Sequence, residues 1–154
     1  NLNVDYIFHA TGTGGTMAGL AAGRKMAESD TKIISITVSP KDEKYLRKVE
    51  KLANDVLALI KSPAHVTIEE DLHMDTGYYA PGYEQPNEAA SEAIRLLART
   101  EGLFVDPVYT GKALAGLIDY VRSGRVPQGS NVVFWHTGGA TALFAEHEIL
   151  GKLY

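Results

Sequence analysis

Residues 4–20, VDYIFHATGTGGTMAGL, decide the fold. Residues 4–10 (VDYIFHA) read as a strand, residues 11–16 (TGTGGT) as a turn, and a helical stretch follows from about Met17 to Glu28. Strand, glycine-rich turn and helix in that order open a βα unit. Glycine lets the backbone approach a phosphate closely, and a helix N-terminus offers unpaired N–H groups with partial positive charge. Thr11, Thr13 and Thr16 add hydroxyls to Gly12, Gly14 and Gly15. The plain alternative is a tight strand-to-helix turn without a ligand, but this composition exceeds what a turn requires.

Outward from there, short β-rich runs keep alternating with amphipathic segments. Residues 32–38 (KIISITV) are a second strand of β-branched residues, closed by Pro40. A long helix follows, in which Leu46, Val49, Leu52, Ala53, Val56, Leu57 and Ile60 form one apolar stripe at three- and four-residue steps. Pro63 ends it, and residues 66–68 read as a short strand. Residues 71–86 (DLHMDTGYYAPGYEQP) have neither period and read as a long loop, a kind that is often functional. Pro86 opens a helix with an inner face of Ala89, Ala90, Ala93, Ile94 and Leu97, stopped by Gly102. Residues 103–105 read as a strand, 106–110 as a turn, and Thr110 as the N-cap of a helix carrying Leu114, Leu117, Ile118 and Val121. Residues 131–136 (NVVFWH) read as a buried strand, followed by a turn at 137–139 and a last helix near 142–150.

This alternation predicts an α/β fold: an open, mostly parallel sheet with helices on both faces. Ligands of such sheets sit at the carboxyl ends of the strands. The turns at 11–16, 106–110 and 137–139 all fall at such ends, so three turns should meet on one rim.

The 154 residues suit a single domain, and a hydrophobic share of 45% argues against disorder. A net charge of −4 without clustered Lys/Arg offers nothing to nucleic acid or anionic membranes. The absence of Cys excludes disulfide scaffolds, thiolate metal sites and cysteine nucleophiles. No apolar run reaches membrane-spanning length, and the N-terminus has no signal-peptide pattern, so a cytoplasmic protein is expected. The chain starts Asn1-Leu2-Asn3-Val4 without Met, which points to a start inside a larger gene product.

The phosphate does not look like that of a nucleotide. Gly12, Gly14 and Gly19 partly imitate a dinucleotide fingerprint, but the second strand ends Thr37-Val38-Ser39-Pro40, with no carboxylate for a ribose. The pattern G-x-x-x-x-G-K-[ST] is absent. A small phosphorylated cofactor fits better. No metal is expected: the five histidines lack ligand spacing, and Asp71-x-His73-x-Asp75 reads as solvated loop. Tyr78 and Tyr79 read as rings covering a core edge. Residues 41–51 (KDEKYLRKVEK) read as a solvated helix face with i,i+4 pairs.

Residues 11–20 (TGTGGTMAGL), 82–88 (GYEQPNE), 101–112 (EGLFVDPVYTGK) and 136–139 (HTGG) resemble, in order, the carboxyl-terminal half of fold-type-II pyridoxal-phosphate enzymes. The resemblance is to the D-cysteine desulfhydrase and 1-aminocyclopropane-1-carboxylate deaminase group, and it covers essentially the whole chain. It implies pyridoxal 5'-phosphate as cofactor, with Gly12, Thr13, Gly14, Gly15 and Thr16 around its phosphate. It implies Tyr83 and Tyr109 as catalytic tyrosines lining ring and substrate, Thr137 at the pyridine nitrogen, and Thr110 and Gly138 among the cofactor residues. Deaminases of the group typically carry Glu where this chain has Thr110 and Leu where it has Thr137, so threonine at both follows the desulfhydrase pattern. A neutral hydroxyl leaves the ring nitrogen unprotonated and the electron sink weaker, which suffices when a good leaving group such as thiolate departs.

The resemblance also implies a Schiff-base lysine beside an Asn, and an active-site Ser, in an amino-terminal half. None of the lysines at 25, 32, 41, 44, 48, 51, 61, 112 and 152 lies in a matching motif. Lys112 comes nearest and reads as part of a helix start. The expectation is therefore half of a homodimeric enzyme that takes an amino-acid substrate, inactive without its amino-terminal half. Rivals are the deaminase, a non-catalytic phosphate-ligand module, and a nucleotide-binding domain disfavoured by the missing carboxylate. An unpaired strand edge and residues 6–10 and 132–135, apolar on both faces, would make such a half self-associate.

Overall fold

The computed structural model describes residues 3–146 and 148. Its centre is β1 (Tyr6–Thr11), which pairs in parallel with β2 (Lys32–Thr37), from Tyr6 opposite Lys32 to Thr11 opposite Thr37. On its other edge β1 pairs with β4 (Val132–Phe134), again in parallel, and β3 (His73–Asp75) joins the outer edge of β2. The strand order is β3-β2-β1-β4, so every carboxyl end faces one rim.

Helices cover both faces, as the alternation predicts. Along β1 the side chains of Tyr6, Phe8 and Ala10 join Ile36 and Val38 against Ala113 of α5 (Thr110–Arg122). Behind it, α4 (Glu88–Glu101) packs Ala93 and Ile94 against Leu114 and Ala115. On the opposite face α1 (Gly15–Met26) presents Met17, Ala18, Ala21 and Ala22 to Val49, Ala53 and Leu57 of α2 (Glu43–Leu59). Phe8, Met17 and Ile36 are fully buried, each contributing about 1.5–3 kcal/mol of apolar transfer. Two short helices complete the elements of the described residues, α3 (Ile68–Asp71) and α6 (Ala142–Ala145). No helix among the described residues is long and apolar enough to cross a membrane.

Several local expectations are corrected. Residues 66–68 form no strand, because the Asn54 carboxamide takes both backbone groups of Val66, donating to its carbonyl and accepting its N–H at 2.9 Å each. The third strand lies instead inside the expected loop, at His73–Asp75. Residues 103–105 pair with no strand; the Phe104 carbonyl accepts from His136 Nε2 at 2.9 Å. Asn87, not Pro86, starts α4, its side chain accepting the Ala90 N–H at 2.7 Å. Tyr109 is the N-cap of α5 and Thr110 its first residue.

Two burial expectations change as well. β4 is a half-buried edge strand, and Trp135 beyond it is exposed rather than buried on both faces. Only Val49, Ala53 and Leu57 of the α2 stripe are buried, while Leu52, Val56 and Ile60 reach solvent. α6 covers Ala142–Ala145 of the expected 142–150 helix, and residues 147, 149 and 150 of that span lie outside the described residues.

Candidate functional site

The turn after β1 is shaped by Gly14. It sits at φ 98°, and a Cβ there would stand 2.6 Å from Val49 Cγ2, so only glycine brings the turn down onto α2. No side chain caps α1, and its ladder begins with Ala18 N–H donating to Gly14 O at 2.9 Å. The N–H groups of Gly15, Thr16 and Met17 therefore precede the ladder, at the positive end of the helix. A Cβ at Gly15 would meet nothing within 4 Å. At Gly12 it would stand 3.2 Å from Tyr109 Cε1, so the missing side chain is what lets that ring lie over the turn.

Tyr109 is aimed by Asp106. This buried carboxylate accepts the N–H groups of Val108, Tyr109 and Thr110 at 2.7–2.9 Å, and the Thr110 hydroxyl at 2.6 Å. It does for α5 what an N-cap side chain does elsewhere. Thr110 is spent on the same knot: its Oγ1 also accepts the Asp106 N–H at 3.0 Å, and the residue is fully buried.

Tyr83 arrives from the loop before α4. That loop is tied down by Lys112, a buried ammonium that donates to Gly82 O at 2.7 Å and Tyr79 O at 3.2 Å. Burial lowers its pKa from the ordinary lysine value. The Tyr83 and Tyr109 hydroxyls are hydrogen-bonded, and their rings meet edge to face at 5.7 Å. That hydrogen bond, with some desolvation, pushes Tyr83 up to about 12.

Thr137 follows β4 in a turn organised by His136. Its Nε2–H donates to Phe104 O, and its Nδ1 accepts the Gly138 N–H at 3.0 Å, a pair of bonds that fits the neutral ring. Gly138 and Gly139 sit at φ 102° and 90°, and a Cβ at Gly139 would stand 2.7 Å from Asp106 Oδ1. The turn after β4 thus lies directly against the carboxylate that starts α5.

These pieces enclose a cleft of about 500 Å³ on the predicted rim. Gly12, Thr13, Thr16, Tyr83, Tyr109 and Thr137 line it, with Ala10, Val38, Ser39 and Lys41. Of the other expected site residues, Gly14 and Gly15 shape the turn, Gly138 follows Thr137, and Thr110 points into the fold. The sequence reading missed Asp106, His136 and Lys41. An Asp four residues before a helix-starting Thr is a recognisable capping signal; His136 gives none, since its partner Phe104 lies 32 residues away in the chain.

The cleft suits a phosphorylated aromatic cofactor chemically. Hydroxyls and a helix N-terminus line one part of it, aromatic rings another, and among the described residues no carboxylate lines it to repel an anion. Among the described residues no group of three His, Cys, Asp or Glu could hold a metal ion.

Comparison with known proteins points the same way. Residues 1–138 match the family described as pyridoxal-phosphate dependent enzyme. D-cysteine desulfhydrases of Salmonella typhi and Salmonella newport are each 45% identical over 141 residues, 90% of this chain and 41% of theirs. A crystal structure of an ACC deaminase homologue superposes with a TM-score of 0.85 at 31% identity, covering 97% of this chain and 44% of that one. The chain spans about two fifths of the length of the curated relatives it matches.

Proposed function

This chain belongs to the pyridoxal-phosphate-dependent enzymes, and from that premise we propose that it forms part of a lyase converting D-cysteine and water to pyruvate, ammonia and hydrogen sulfide. The observation that carries the reading is the cleft, where Gly12, Thr13, Thr16, Tyr83, Tyr109 and Thr137 come together from four separate stretches of sequence. Pyridoxal phosphate, when bound, supplies an electron sink for breaking bonds at the α- and β-carbons of an amino acid.

The chain's own residues then divide the work. The start of α1 binds phosphate through its free N–H groups, helped by the Thr13 and Thr16 hydroxyls. Thr137 meets the ring nitrogen with a neutral hydroxyl. Tyr109 and Tyr83 orient the substrate and hold a proton between their oxygens. Thr110 acts through Tyr109, by fixing Asp106.

None of the nine lysines lies in a motif that matches the cofactor-carrying lysine. The buried Lys112 is engaged with two carbonyls. We therefore assign that lysine to a further part of the enzyme, for which the relatives' greater length leaves room. A homodimer and a cytoplasmic setting, where free amino acids are metabolised, belong to the same reading.

Deamination of 1-aminocyclopropane-1-carboxylate is the second reading, favoured by the structural likeness to an ACC deaminase homologue. The higher identity to desulfhydrases and the hydroxyl at Thr137 favour the first. The test compares sulfide release from D-cysteine with ammonia release from the cyclopropane amino acid, using the longer polypeptide with pyridoxal phosphate. Sulfide release should dominate, and the 154-residue chain alone should add nothing to the free cofactor's rate. Dominant ammonia release from the cyclopropane substrate would move the assignment to the deaminase; neither activity would overturn both.

A further inference from the structure

Along the sheet the carboxyl ends of β2, β1 and β4 lie side by side in that order. The cleft above them accordingly runs from Ser39 and Lys41, past the turn at 12–16, to Thr137. Lys41 carries the one formal charge among the lining residues. Its neighbour Asp42 is committed to capping α2, accepting the Tyr45 N–H at 3.0 Å. Among the described residues no carboxylate lies within ion-pair distance of the Lys41 ammonium.

The ammonium sits instead 4.9 Å from the centroid of the Tyr45 ring. The hydroxyl of that tyrosine is hydrogen-bonded to Thr11 Oγ1 at 2.8 Å and lies 3.3 Å from where a Cβ at Gly14 would stand. One tyrosine thus braces the glycine turn and steadies the cation beside it.

We propose that Lys41 is the cation of the phosphate subsite, a positioning residue that neutralises the anion held at the start of α1. The inference rests on the reading of the cleft as a pyridoxal-phosphate site. A phosphate monoester carries about −1.5 to −2 charges at neutral pH, against roughly +0.5 from a helix N-terminus. The helix alone leaves most of that charge unmet. Lys41 is at the opposite end of the cleft from Thr137, the ring-nitrogen side, so its charge falls on the phosphate rather than the ring.

The test is calorimetric titration of the 154-residue chain with inorganic phosphate, pyridoxal phosphate and pyridoxal, at low and physiological salt. Lys41→Gln should weaken both phosphate ligands about three- to tenfold and flatten their salt dependence. Lys41→Arg should retain binding, and pyridoxal should bind all three proteins alike. Unchanged phosphate affinity in Lys41→Gln, or equal losses for phosphate and pyridoxal, would overturn the inference and leave the cleft's assignment standing. Absence of phosphate binding by the unsubstituted chain would overturn both.

Discussion

The hydroxyls of Tyr83 and Tyr109 are bonded to each other at the mouth of the cleft, although the two residues come from different elements 26 positions apart. Neither tyrosine places the other. Lys112 holds the loop that brings Tyr83, and Asp106 holds the turn that brings Tyr109. The pair is a junction between two separately anchored pieces of chain.

That junction has a titration signature. The bond to Tyr109 is the largest cause of the rise in Tyr83, to about 12 from the model-peptide value of 10.0. Tyr109→Phe should bring the Tyr83 phenol back toward its ordinary value, seen as an earlier step in ultraviolet or tyrosine-carbon NMR titration. An unmoved Tyr83 step would show that the hydroxyl contact does not persist in solution.

Asp106 should be among the costliest single changes. Asp106→Ala strands three backbone N–H groups and the Thr110 hydroxyl in a buried site. The expected loss is about 3–5 kcal/mol in urea unfolding. A loss below about 1 kcal/mol would mean that water replaces the carboxylate and the knot is ornamental.

Gly14 and Gly15 are adjacent but should respond in opposite ways. Gly14→Ala forces a side chain into a left-handed conformation and onto Val49, for a cost of about 1–3 kcal/mol. Gly15→Ala enters open space at a helix start and should be neutral or stabilising by up to about 1 kcal/mol. Thermal melts of the two variants decide it, and equal losses would contradict the geometry of the turn.

His9 supplies a pH dependence. It is buried on the α1 side of the sheet, hydrogen-bonded to Ser35 Oγ at 2.7 Å, and burial depresses its pKa below the ordinary histidine value of 6.5. The unfolded chain therefore takes up this proton first as pH falls. The stability contributed by neutral His9 is full above about pH 6.5 and declines as pH drops below it, until the depressed folded value is reached. Unfolding free energies from pH 7.5 to 5 should show this slope, and His9→Gln should reduce it. Identical slopes in both proteins would assign the acid sensitivity to other groups.

What the sequence made legible follows from how local each signal is. β1 and β2 are runs of apolar and β-branched residues, and the turn at 11–16 carries its conformation in its own glycines. β3 has three residues, His73, Met74 and Asp75, with no period to read; only its pairing with β2 makes it a strand. The stripe on α2 was legible as a stripe, but periodicity does not say what covers it, and half of it meets solvent. In the site, the glycines, threonines and tyrosines stood out by composition. The resemblance implies Thr110 as a cofactor residue, and only the fold brings out that Asp106 holds its hydroxyl. Lys41 is hidden among the alternating charges of residues 41–51, because the turn at 12–16 that it faces in the cleft follows another strand.

The close approach of Gly139 to Asp106 ties two distant positions to one fate. Any side chain at 139 would have to dislodge the carboxylate on which the first turn of α5 hangs, and Tyr109 with it. Changes on the Thr137 wall of the cleft are thus felt on the tyrosine wall without a ligand to relay them. In a lineage of such proteins, residues 106 and 139 are free to drift only as a pair, and a library that varies one while fixing the other samples mostly broken clefts.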